Sequence, residues 1–128
     1  MILIDTDIMV DVLRHHEAAI NWLGSQGSDV VSLPGLVAME LLQGCRDGEE
    51  QRQVEATLSP YRLYWPNPED CERAYADFSD HRLSHGLSIL DALIAETAVG
   101  CGARLATFKE KHYRVVGGLE TTRPYSRP

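Results

Sequence analysis

The apolar positions of this chain fall into short dense runs separated by stretches with a rhythm of three to four residues. Ile2-Leu3-Ile4 is the first run, and it stops abruptly at Asp5-Thr6-Asp7. Such a run bounded by acids reads as a buried strand whose carboxyl end feeds a helix. Ile8, Met9, Val12 and Leu13 share one stripe of that helix. A second amphipathic stretch from Glu17 sets Ile20 and Leu23 inward until Gly24 and Gly27 break it. Val30-Val31 predicts the next strand, closed by Ser32 and Pro34. A proline at a helix start sacrifices no hydrogen bond, so a helix follows to Gly44. The polar run from Asp47 to Leu58 predicts a solvated helix, and Arg62-Leu63-Tyr64-Trp65 a third strand stopped by Pro66 and Pro68.

From Glu69 to Leu83 the pattern is a charged helix with Ala74, Phe78 and Leu83 facing inward. Ser88 opens the most apolar helix of the chain, running to Val99 and closed by Gly100 and Gly102. Leu105-Ala106-Thr107-Phe108 reads as a fourth strand, followed by a turn around Lys111, a Val115-Val116 segment and a weak last strand near Thr121-Thr122. Strands alternating with helices predict right-handed crossovers and an α/β fold, with a mainly parallel sheet between helices on both faces. Residues 1–128 are expected to form a single domain. Sites in such folds gather at the carboxyl ends of strands, where this chain places acids.

Composition narrows the chemistry. Nineteen acidic against twelve basic residues give a net charge of −7, which excludes a simple basic-patch nucleic-acid binder. If nucleic acid is handled at all, bound cations must supply positive charge. Cys45, Cys71 and Cys101 are scattered and odd in number. They exclude a disulfide scaffold and a cysteine-built zinc site, and fit a reducing cytoplasm. The opening apolar run is too short for a signal peptide, and no stretch approaches the ~20 apolar residues that span a bilayer. The expectation is a soluble cytoplasmic protein with no membrane partner.

Three acids stand where acids are awkward. Asp5 or Thr6 can serve as an N-cap, with Asp7 in the first helical turn favoured by the dipole. Glu40 follows Leu36 by four residues and Val37 by three, so it points along a stripe that belongs to the core, unless it snorkels at the helix edge. Asp91 completes a capping box with Ser88, yet Ile94, Ala95 and Ala98 share its apolar face. Each has a plain structural account on its own. Together, three segments bring carboxylates to one apolar surface. Two unscreened carboxylates ~4 Å apart repel by about 4 kcal/mol at an effective dielectric of 20. Such a cluster takes up protons or binds cations, and hard oxygen ligands select Mg²⁺ or Mn²⁺. A divalent ion there lowers the pKa of water and offsets charge on a phosphate.

Four segments in order resemble the PIN domain, in particular its VapC-type toxin branch: Ile-Leu-Ile-Asp-Thr-Asp at 2–7, Val-Ala-Met-Glu-Leu-Leu-Gln-Gly at 37–44, Ile-Leu-Asp-Ala-Leu-Ile-Ala at 89–95, and Leu-Ala-Thr-Phe-Lys-Glu-Lys-His-Tyr at 105–113. The resemblance implies a three-layer α/β/α sandwich and a Mg²⁺-dependent endoribonuclease, with Mn²⁺ as substitute. It implies cleavage of single-stranded parts of RNA that leaves a 5′-phosphate. By position, Asp5, Glu40 and Asp91 become the metal-binding acids, Glu40 through water. Thr6 and Thr107 match positions where a hydroxyl holds an acid, water or phosphate. A small VapB-type antitoxin partner and a homodimer are implied as well. Lys109 departs from the pattern, because the family usually places Asp or Asn there. A protonated ammonium ligates no metal. It either occupies the charge of a second cation, giving a one-metal site, or contacts the scissile phosphate, or marks a catalytically weak module that binds RNA or a partner protein.

Other constellations carry less. His81 and His85 have a zinc-compatible spacing but no third ligand. His15, His16 and His112 read as surface residues, and Tyr61, Tyr64, Trp65 and Trp22 as packing. Arg14 and Arg46 are candidates to meet phosphates. No GxSxG elbow or phosphate-cradling glycine loop is present, which excludes serine hydrolases and nucleotide-fold dehydrogenases. Asp5-Thr6-Asp7 lacks the following Gly-Thr of a haloacid-dehalogenase loop. The third strand ends without the aspartate a phosphoreceiver domain needs.

Overall fold

The structure is a computed structural model that describes residues 1–27 and 30–127. Its elements in chain order are β1 (Ile2–Ile4), α1 (Thr6–Leu13), α2 (Glu17–Ser25), β2 (Val31–Pro34), α3 (Gly35–Gln43), α4 (Gly48–Leu58), β3 (Leu63–Tyr64), α5 (Pro68–His85), α6 (Ile89–Gly100), β4 (Arg104–Ala106), α7 (Glu110–Tyr113) and β5 (Thr121–Thr122). The strands form one sheet in the order β3-β2-β1-β4-β5, and every pairing is parallel. Ile2 stands opposite Val31 on one side and Arg104 on the other. Near-continuous apolar strands are what burial on both faces demands. Leu3, Ile4, Leu33, Leu105 and Ala106 are fully buried.

The chain steps outward through β1, β2 and β3, then returns past β1 to β4. Right-handed crossovers in both directions place helices on both faces, the expected three-layer sandwich. The reversal lies between β1 and β4, and their carboxyl ends open a crevice at that point. Asp5 N donates to the Ala106 carbonyl across it at 3.0 Å. Helix α3 packs against both α1 and α6, so the elements carrying Asp5, Glu40 and Asp91 meet there.

Several boundaries differ from the sequence reading. Ser32 and Pro34 lie inside β2, and Val30 lies outside it; Thr107 and Phe108 fall beyond β4. Helix α2 turns Ala19 inward and leaves Ile20 exposed, because it packs on α1 and is too short to bury two stripes. On α5 the buried stripe runs through Asp70 and Ala74 to Phe78, and a 3.6-residue period carries it past Leu83 into solvent.

The seam between α5 and α6 is ionic as well as apolar. Arg73 donates to Asp70 Oδ1 at 2.5 Å and to Glu96 Oε1 at 2.9 Å. Burial, then neighbouring Glu96, push the Asp77 carboxyl up to about 7. Gly100 permits this approach, since a Cβ there would fall on the Asp70 carboxylate. Gly100→Ala is therefore expected to destabilise the fold by about 1–3 kcal/mol, read from the midpoint of urea unfolding.

Candidate active site

Asp5 is both cap and pocket residue. Its backbone is extended at the end of β1, and its Oδ1 accepts from the Thr6 amide at 2.8 Å as the N-cap of α1. Its Oδ2 accepts from the Thr107 hydroxyl at 2.7 Å, and the side chain is fully buried. Burial, followed by repulsion from Asp7, pushes its carboxyl up to about 6, against the opposing bonds from Thr107 and Thr6.

That shift has a measurable sign. The folded state holds the Asp5 proton more tightly than the unfolded chain, whose ordinary value is 3.8. The resulting stability is present below about pH 4 and is lost as pH rises through about 6, by up to ~3 kcal/mol. Without divalent metal, the stability difference between parent and Asp5→Asn should shift in favour of the variant by that amount from about pH 4 to about pH 7. Urea titrations at both pH values test it.

Glu40 lies on α3, half-buried, and its Oε1 accepts from the Thr6 hydroxyl at 2.6 Å. Thr6 thus links Asp5 through its amide and Glu40 through its hydroxyl. Asp91 sits in the first turn of α6 and is buried. Its amide donates to Ser88 Oγ at 3.0 Å. Its carboxylate, which the sequence left open between closing the capping box and serving a site, turns to Tyr113 and Lys109. It accepts from the Tyr113 hydroxyl at 3.3 Å and lies 3.6 Å from Lys109 Nζ and 3.8 Å from His112 Nδ1.

Lys109 reports the convergence of these groups. Burial disfavours its charge, yet Asp91, Asp5, Asp7 and Glu40, in that order, outweigh it and raise the ammonium above its ordinary value. Carboxylates from three separate parts of the chain therefore favour the charge on one nitrogen, with Asp91 at ion-pair distance. The Lys109 amide also donates to Thr107 Oγ1 at 3.0 Å, which places Thr107 between lysine and Asp5.

Two pocket residues had no assigned place in the sequence reading. Asp7 was read only as a first-turn acid, but its Oδ2 accepts from the Phe108 amide at 2.9 Å and burial raises its carboxyl. Its position beside Asp5 was the available signal. Tyr113 is buried in a helix too short to show periodicity, so nothing local marked it. His112, read as surface, is half exposed beside Asp91. His81 and His85 stack edge to face with ring centroids 5.5 Å apart. Arg46 pairs with Glu50 on the surface. Arg14 borders a groove of about 830 Å³ that also takes in Thr6, Glu40 and Val54.

Among the described residues, no three His, Cys, Asp or Glu side chains stand ready as a metal cage. The donor chemistry nevertheless fits a hard divalent cation: every candidate atom is a carboxylate or hydroxyl oxygen, and burial keeps Asp5 and Asp7 short of compensating charge.

A parallel five-stranded sheet with an acidic pocket at the carboxyl end of its central strand defines a three-layer α/β protein of PIN type. The chain matches the PIN domain over residues 2–118 and belongs to that family. It is 32% identical to Ribonuclease VapC10 of Mycobacterium tuberculosis across 130 aligned residues, covering 100% of this chain and 96% of the relative. A toxin-antitoxin complex from Klebsiella pneumoniae shares the fold with a TM-score of 0.79 at 22% identity, over 99% of this chain and 100% of that one. VapBC2 from Rickettsia felis, bound to a DNA fragment from its promoter, does so with a TM-score of 0.75 at 21% identity, over 95% and 98%.

Proposed function

We propose that this chain is a divalent-metal-dependent endoribonuclease that cleaves single-stranded regions of RNA, leaving a 5′-phosphate, and that it is the toxin of a type II toxin–antitoxin pair. The observation that carries this reading is the chain of contacts that joins the three acids: Glu40 to Thr6, Thr6 to Asp5, Asp5 to Thr107, Thr107 to Lys109 and Lys109 to Asp91. The full-length likeness to a ribonuclease supports the reaction class. Solved toxin–antitoxin relatives of the fold support a small VapB-type partner. A homodimer in the cytoplasm completes the proposal; among the described residues no helix is long and apolar enough to cross a membrane.

Asp5 and Asp91 would hold Mg²⁺, or Mn²⁺ in its place, and Glu40 would reach it through water. The bound ion would supply an activated water and offset the charge on the transferring phosphate. The chain's own residues do the rest. Thr107 orients Asp5 by donating to Oδ2 and leaves Oδ1 to the α1 cap. Thr6 fixes the Glu40 carboxylate. Lys109, held toward Asp91, offers a positive charge to the phosphate in a protein whose net charge is −7. RNA affinity should consequently fall with monovalent salt.

Incubating the protein with structured RNA and Mg²⁺ or Mn²⁺ tests the reaction, and cleavage indifferent to chelator would refute the metal role. Growth arrest on expression, relieved by the product of a neighbouring small reading frame, tests the toxin role. The Lys109–Asp91 ion pair favours one other reading, a weakly catalytic module that binds RNA or protein. RNA binding without cleavage under any divalent ion would select it.

A further inference from the structure

The segment beyond β5 crosses α1 and the loop that carries Thr107, Phe108 and Lys109. Tyr125 Oη donates to Asp11 Oδ2 at 2.7 Å. Arg127 donates to the same oxygen through Nε at 3.1 Å and Nη2 at 3.0 Å, and Nη2 lies 3.3 Å from the Asp7 carbonyl. That guanidinium also covers the Phe108 ring, 4.1 Å from its centroid. Arg123 approaches the ring at 5.5 Å, and Tyr125 meets it edge-on with centroids 5.0 Å apart. Three residues of one segment enclose Phe108.

Asp11 gives the segment its anchor. It is 6% exposed, and it follows Asp7 by one turn on α1. A buried carboxylate needs both charge and hydrogen bonds around it. Burial works against its ionisation, but the bonds from Tyr125 and then Arg127 hold it below the usual carboxylate range. A planar guanidinium can pair with Asp11 and stack on Phe108 at once, which an ammonium cannot.

From Phe108 the route to the acids is covalent. Its amide is fixed on Asp7, Thr107 before it is bonded to Asp5, and Lys109 after it faces Asp91. Residues 119–127 lie outside the span that matches the PIN domain.

We infer that residues 123–127 form a strap that sets the Thr107–Lys109 loop through Phe108, with Arg127 and Tyr125 as positioning residues for Lys109 and Thr107. Only the kinetic half of its test rests on the nuclease reading.

Amide hydrogen exchange on the full chain, without RNA, comes first. Arg127→Ala should speed exchange of the Phe108 amide about tenfold or more beyond the change in global stability, and Arg127→Lys should restore it only in part. Unchanged Phe108 exchange overturns the strap, whether or not the protein cleaves RNA. In cleavage assays, Arg127→Ala and Phe108→Leu should each lower kcat about ten- to a hundredfold with KM within about twofold. The double variant should be no worse than either single one. A raised KM with a flatter salt dependence would make Arg127 a phosphate contact and overturn the positioning role. So would a lowered Tm with kcat unchanged. A parent that cleaves no RNA would defeat the nuclease reading alone and leave the exchange result standing.

Discussion

Asp91→Asn is expected to reduce RNA cleavage by at least ~10²–10³-fold while the protein stays folded. The substitution keeps the shape of the side chain and an oxygen that can accept from Tyr113. The α6 cap survives, because it uses the Asp91 amide and Ser88 Oγ rather than the carboxylate. What disappears is one negative charge facing Lys109 at 3.6 Å, a pair whose lysine is 38% exposed. Its contribution to stability is no more than about 1 kcal/mol. Asp5→Asn should cause a comparable loss of cleavage. Chelator should reduce the parent to the level of either variant and leave the variants unchanged. Normal cleavage by both variants would remove the proposed site.

The second large effect concerns Lys109. If its ammonium stands in for a second cation, the parent binds one tight divalent ion per chain, and Lys109→Asp binds two. Lys109→Ala should cut cleavage about 10²-fold at low Mg²⁺, with partial recovery as Mg²⁺ rises. It should also push the Asp5 carboxyl above its present value of about 6, since Lys109 is among the groups that lower it. Calorimetric titration of metal into parent and variants separates the cases. Two tight, equivalent sites in the parent would defeat the one-metal arrangement.

Much of the fold was legible because its cues are local. The run Ile2-Leu3-Ile4, the cap at Ser88 and the proline at the start of α3 sit where propensity and hydrogen bonding act within one turn. Errors arose where a distant partner chose the outcome. Ile20 and Leu83 matched helical periodicity, but the helices they belong to turned other residues toward α1 and α6. Asp91 kept only half of the capping box for the same reason: Ser88 caps its amide, but the carboxylate found Tyr113 and Lys109 in place of the Ser88 backbone.

The sequence by itself determined an alternating α/β chain with acids stationed at strand ends, because periodicity and capping depend on neighbours a few residues apart. Only the tertiary structure decided that Asp5, Glu40 and Asp91 are linked through Thr6, Thr107 and Lys109, and that Asp11 ties the segment around Arg127 to the Phe108 loop. Those relations join residues up to 116 positions apart. They form because a buried charge is tolerated only where packing delivers its partner.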